Sequence, residues 1–345
     1  MPKMTSRERV LAAFSHVEGD RVPVWFGTSP EFLRKAKQQL GIEDTENLFV
    51  RLGDDFRRVY EEYSGPVSPR DLFGKMGRRG AYIGQAQNHP LADATLAQVH
   101  EYPWPDPSWI DVSKIRMVAS KYSGQYAILG GSWSPFWHVA LDLMGMENLM
   151  VKMYDEPDLV DAVMGYIADF YTGVNQRIFE AGSDVIDIFF IGNDFGSQSG
   201  PLIGENLFRR FVLPHLKRLI DIGHNYGLKV MMHCCGGITP LIPAMIEVSL
   251  DGLQALQPSI RGMEPDTLKA AFGDKIVLNG CIDSHHVLIN GTPDLVRTKT
   301  RETIDVMKPG GGYIVSASHD YILEETPVEN ILAMFDTARE YGCYH

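Results

Sequence analysis

From Gln125 onward, short apolar runs alternate with longer stretches of mixed apolar and polar residues. The runs are "QYAILGG" (125–131), "DVIDIFFIGND" (184–194), "LKVMMHC" (228–234), "DGLQALQP" (251–258), "KIVLNGC" (275–281) and "GGYIVSASH" (311–319). Their length and nearly unbroken apolar character predict strands covered on both faces. The stretches between them predict helices near 138–153, 156–180, 204–226, 238–248, 265–272, 293–308 and 327–341. Strand followed by helix, repeated along the chain, is the pattern of a parallel sheet.

The N-terminal third is less regular. "TSRERVLAAFSH" reads as an amphipathic helix, with Thr5 and Glu8 spaced as a capping box. "DRVPVWFG" (20–27) reads as a short strand, and the region to about residue 123 reads as loops and helices decorating a scaffold. Six repeats, with one or two further strands in this third, predict a (β/α)8 TIM barrel with N-terminal helical and loop decorations, one domain over 1–345. The rival is an open doubly wound sheet, which needs a Gly-rich phosphate turn after an early strand. "ILGGSW" matches that turn poorly.

In a barrel the chemistry sits at the C-terminal strand ends. Those ends carry Trp133, Asn193, Asp194, His233, Cys235, Gln257, Cys281 and His319. Alternate residues of a strand share a face, so His233 and Cys235 point together and Cys234 points to the helix layer. Thiolate with imidazole suits zinc, and the expected ligands are His233, Cys235 and Cys281, with His319 a fourth ligand or a substrate contact. Asp194 lies in the glycine-rich "GNDFGSQSGPLI" and is expected to act on the substrate side or as a ligand. Trp133, Phe136 and Trp137, with Trp25, are expected to wall an apolar pocket, and Asn193 and Gln257 to contact its occupant.

Composition narrows the class. The 345 residues are 44% hydrophobic and 22% charged, with net charge −12, ordinary for a soluble globular protein. No basic block or basic aromatic stripe points to nucleic acid. No apolar run reaches the roughly 18 residues of a membrane span, and the N-terminus has no signal-peptide core, so a cytoplasmic location is expected. Four cysteines are too few for a disulfide scaffold and favour metal binding or catalysis.

Several long stretches resemble the uroporphyrinogen decarboxylase superfamily: "TSRERVLAAFSHVEGDRVPV", "GNDFGSQSGPLIGENLFRRFVLPHLKRLI", "HCCGGITPLIPAMIEVSLDGLQALQP", "FGDKIVLNGCIDSHHVLINGTPDLVR" and "GGGYIVSASHDYILEETPVENILAMFDTAREYG". Within it the chain resembles the zinc-dependent methyltransferases of corrinoid-linked one-carbon metabolism. That branch holds zinc with a His-x-Cys pair, matched by His233 and Cys235, and a distant Cys after the last strand, where this chain has His319. Cys281 is expected to supply the missing thiolate. The decarboxylases carry an arginine-bearing motif after the first strand, whereas "VPVWFGTSPEFLRK" has only Arg34. The resemblance implies methyl transfer from a small methylated compound, methoxylated or of the methylamine type and expected to be a methoxylated aromatic, to Co(I) of cobalamin on a partner corrinoid protein. His319 or Asp194 would handle a proton. It also implies a homodimer. A decarboxylase and a coenzyme M-type thiol methyltransferase are the alternatives.

Overall fold

The computed structural model describes residues 3–75 and 86–344. Seven strands form one parallel sheet in chain order: β1 Phe56–Arg58, β2 Ala127–Gly130, β3 Ile188–Gly192, β4 Lys229–His233, β5 Gly252–Leu256, β6 Val277–Ile282 and β7 Tyr313–Ala317. Every pairing between neighbours is parallel. The strands are apolar because both faces are covered. Ala127, Leu129, Ile188, Phe190, Met231, Val277 and Ile314 meet in an inner cluster. Ile128, Phe189, Ile191, Val230, Met232, Leu278 and Val315 belong to the outer one, against the helices. Each fully buried Phe or Met of this kind contributes about 1.5–3 kcal/mol.

Helix α1, Ser6–Phe14, covers the N-terminal end of the sheet. Its capping box forms as expected, Thr5 Oγ1 accepting from Glu8 N–H (3.2 Å) and Glu8 Oε2 accepting from Thr5 N–H (2.8 Å). Val10, Ala13 and Phe14 then enter the inner cluster from below. The outer layer includes α2 Phe136–Met144, α3 Pro157–Gly182, α4 Leu213–Asn225, α5 Ile242–Glu247, α6 Pro265–Phe272, α7 Pro293–Met307 and α8 Val328–Tyr341. The expected helix at 138–153 is broken at Gly145, whose φ of 80° ends α2 and starts a separate helix, Met146–Asp155.

The strand expected at 20–27 is reduced to two isolated bridges, an antiparallel one from Arg21 to Cys343 and a parallel one from Val24 to Val315. Pro23 has no N–H to extend a ladder, but its carbonyl accepts from Val315 N–H (2.9 Å) and Trp25 N–H donates to the Val315 carbonyl (3.0 Å). On the other side Asp55 N–H donates to the Val24 carbonyl (3.1 Å). This extended segment therefore lies between β7 and β1, the two edges of the curled sheet. Asp55, fully buried, secures it by accepting from Val24 N–H (2.8 Å), Arg9 (2.6 Å) and Arg21 (2.9 Å).

Candidate metal centre

Strands β3 and β4 run side by side with Gly192 opposite His233. His233 is the last residue of β4, and Met231 two positions earlier lies in the inner cluster, so alternation turns the imidazole inward at the strand end. Cys235 follows on the same side, while Cys234 is fully buried in the outer cluster and accepts from Phe195 N–H (3.3 Å). Asp194 follows β3. The two rim loops touch at Gly196 and Gly236; a Cβ on Gly236, whose φ is 90°, would come within 2.4 Å of the Gly196 carbonyl carbon. Only glycine allows that approach, and it brings Asp194 to Cys235.

Cys235 Sγ and Asp194 Oδ1 each lie 3.3 Å from His233 Nε2. Asp194 Oδ1 also accepts from Cys235 N–H at 2.7 Å. Donor atoms of Asp194, His233 and Cys235 all lie within 4.8 Å of one another, the one such group of three among the described residues. Behind them His233 Nδ1 is 2.6 Å from Gln254 Oε1, and His138 Nε2 is 3.3 Å from Asp194 Oδ2. A proton on Nδ1 shared with Gln254 leaves Nε2 as the lone-pair donor facing the other two groups.

The electrostatics point the same way. Burial pushes the His233 imidazolium toward its neutral form, but the charge of Cys235, hydrogen bonds to Asp194 and Cys235, and the charge of Asp320 outweigh it, and the pKa stands well above the ordinary value. Burial likewise opposes charge on Asp194, yet the hydrogen bonds and charges of His138 and His233 hold it far below the usual carboxylate range. The two shifts are the two sides of one interaction: the negative groups favour a proton on His233, and the positive charge of His233 and His138 favours the Asp194 carboxylate. A thiolate, an imidazole and a carboxylate in that setting fit a divalent cation of the zinc type, with a coordination position left over.

The expected ligand Cys281 is not part of this group. The register between β5 and β6 shifts at Asn279/Gly280, where β5 holds an extra residue, Ala255 (φ 71°), and Gly280 and Cys281 have φ of 129° and 68°. Val277 faces the inner cluster, but past the bulge Cys281 joins the outer one and borders a cleft with Lys299, Glu302 and Thr303 of α7. Alternation fails there because the β6 backbone takes positive φ at both Gly280 and Cys281, opposite the extra residue of β5. Burial alone pushes its thiol up to about 12, the reverse of a ligand's requirement.

The aromatic residues divide in the same way. Trp133 lies across Gly192, where a Cβ would stand 1.9 Å from the indole, and its ring is 5.3 Å from that of His233. Trp25 lies deeper, 4.8 Å from Phe190 and 5.5 Å from Phe56. Phe136 and Trp137, expected to wall the pocket, are fully buried in the outer cluster instead, each packed on Phe195. Their helix turns them away from the sheet's inner side. Asn193, expected to contact substrate, is fully buried and spent on the loop after β2: it accepts from Trp137 N–H (2.9 Å) and donates to the Ser134 carbonyl (3.1 Å). Gln257 is at the rim, 3.3 Å from Gln198 Nε2. His319 has its ring 6.4 Å from that of His233 and its Nδ1 3.1 Å from Tyr321 N–H, near the three donors but outside their group.

Sequence reasoning missed Gln254 and His138, which hold His233 and Asp194, and Arg58 of β1, whose guanidinium carbon is 5.2 Å from the Trp133 ring. Gln254 was visible as a polar residue inside the buried run "GLQAL". Arg58 was visible only as a charge in a three-residue strand, and His138 gave no signal.

The fold is a parallel α/β sheet, and the site places three metal-type donors at its strand ends. The chain belongs to the family described as Uroporphyrinogen decarboxylase (URO-D), matched over residues 89–341. It is 24% identical over 231 residues to the methylcobamide:CoM methyltransferase MtbA of Methanosarcina acetivorans, covering 66% of this chain and 62% of that one. It is 23% identical to the uroporphyrinogen decarboxylase of Alkalilimnicola ehrlichii over 96% of this chain and 93% of that one. The match thus spans less than two thirds of the methyltransferase but nearly all of the decarboxylase. A solved methyltransferase from Methanosarcina mazei superposes with TM-score 0.68 at 20% identity, covering 98% of this chain and 99% of that one, a likeness of fold.

Proposed function

We propose that the chain is a corrinoid-dependent methyltransferase that takes a methyl group from a small methoxylated aromatic compound. The acceptor is Co(I) of a cobalamin carried by a partner corrinoid protein. Asp194, His233 and Cys235 would hold Zn2+, which supplies Lewis acidity toward the substrate oxygen. The observation that carries this reading is the convergence of those three donor atoms within 4.8 Å at adjacent strand ends. Similarity to methylcobamide:CoM methyltransferases supports it.

The chain's own side chains have distinct tasks in this reading. Gln254 and His138 hold His233 and Asp194 in orientation. Trp133 offers the flat apolar face for the ring. His319 would donate a proton to the departing oxygen. The Val22–Phe26 segment would complete a (β/α)8 barrel by standing between β7 and β1. A homodimer in the cytoplasm follows from the resemblance; no helix among the described residues is long and apolar enough to cross a membrane.

Elemental analysis followed by a screen of methoxylated aromatics with Co(I) cobalamin, read by absorbance, tests the proposal. Zinc near one per chain and methyl transfer lost in Cys235→Ser are expected. A metal-free decarboxylase has no task for the three donors; carbon dioxide release from a carboxylated substrate by metal-free protein would establish that reading instead.

A further inference from the structure

The two arginines of β1 have opposite surroundings. Arg57 points to the outer layer, where its side chain is 3% exposed and pairs with Glu46 at 2.6 Å. Arg58, half-buried, turns to the inner side above Phe190, with its guanidinium carbon 5.0 Å from that ring and 5.2 Å from the ring of Trp133. Tyr60 flanks it at 4.8 Å. Among the described residues Arg58 forms no ion pair, although Arg9, Arg21 and Arg57 are each matched to a carboxylate. Glu61 is the acid whose charge acts on Arg58, but burial pushes its carboxyl toward the neutral form and Ser132 hydrogen-bonds it. Glu61 is therefore a weak counter-ion.

A guanidinium lying over an aromatic face keeps its N–H groups directed outward in its own plane. Two of those parallel N–H groups match the two oxygens of a carboxylate. Trp133 spans the distance to the metal-type donors, since the same indole is 5.3 Å from the His233 ring. A flat ring lying along Trp133 would have one end at Arg58 and the other beside Asp194, His233 and Cys235.

We propose that Arg58 is the anion-binding residue of this site and takes a carboxylate carried on the aromatic ring of the substrate. The inference rests on the methyltransferase reading for the identity of the site and narrows its substrate to methoxylated aromatic acids. It also assigns orientation: the carboxylate at β1, the methyl-bearing oxygen at the strand ends of β3 and β4.

The test is binding of para-methoxybenzoate and of its uncharged analogue para-methoxybenzamide to the full chain without cobalamin, followed by tryptophan fluorescence and calorimetry. In the unsubstituted protein the acid should bind at least about tenfold tighter than the amide. Arg58→Met should weaken the acid about 10- to 100-fold, the range of one charge-assisted hydrogen-bonded contact, and leave the amide within about threefold. Arg58→Lys should restore part of the loss. Equal binding of acid and amide to the unsubstituted protein overturns the inference, and that comparison stands even where Arg58→Met does not fold. Tighter, Arg58-dependent binding of 2-mercaptoethanesulfonate than of any aromatic acid also overturns it, by making an alkanesulfonate the anion.

Failure of the broader reading looks different. Arg58-dependent binding of the acid with no methyl transfer from any donor keeps the subsite and removes the methyltransferase. Methyl transfer from the amide as fast as from the acid, unchanged in Arg58→Met, does the reverse.

Discussion

Gln254 Oε1 stands 2.6 Å from His233 Nδ1, on the side of the imidazole opposite Asp194 and Cys235. The pair links the ends of two adjacent strands, β4 and β5, and sets which ring nitrogen faces the donor group. Replacing Gln254 by Leu keeps the size but leaves Nδ1 without its acceptor. Zinc affinity should fall about 10- to 100-fold, measured by competition with a chromophoric chelator. Unchanged affinity would remove Gln254 from the support of the site.

Cys235 and Cys281 separate cleanly. Cys235→Ser should abolish zinc retention, whereas Cys281→Ala should leave metal content at the unsubstituted level and cost about 1 kcal/mol of stability through lost packing. Metal analysis and urea unfolding of the two variants report both effects. Loss of zinc in Cys281→Ala would reinstate it as a ligand and contradict the bulge.

Gly192 makes room for an indole. Gly192→Val puts atoms where Trp133 now lies, 1.9 Å from the Cβ position. The ring must be displaced, at a cost of about 1–3 kcal/mol. Tryptophan fluorescence should shift, and aromatic ligands should bind more weakly than they do to the unsubstituted protein.

Asp55 and Asp20 tie α1 to the extended segment that lies between β7 and β1. Asp55→Asn leaves Arg9 and Arg21 short of a buried counter-charge and should cost about 3 kcal/mol in urea unfolding. Burial opposes charge on Asp20, but hydrogen bonds from Arg9, Met4 N–H and Arg21 N–H hold its pKa below the ordinary 3.8. A carboxyl lowered in the folded state stabilises it fully above 3.8, and that contribution disappears as pH falls through the lower native value. Asp20→Asn should therefore lower stability at neutral pH and flatten the loss on acidification below pH 4, about where the free carboxyl titrates.

The strand–helix rhythm after residue 124, the capping box of α1 and the inward pairing of His233 with Cys235 follow from the order of residues alone. Each depends on a local period, two along a strand or 3.6 along a helix, and a local period can be counted in the chain. Contacts across the fold obey no such count. The facing of Cys281 depends on positive φ at Gly280 and Cys281 opposite the bulge of β5, the burial of Phe136 and Trp137 on how α2 packs, and the place of Asp194 on two glycines meeting between loops. Arg58 and Gln254 acquire meaning only from neighbours 75 and 21 positions away, Trp133 and His233. Tertiary packing decided those, because the energy that selects them comes from side chains that the sequence holds far apart.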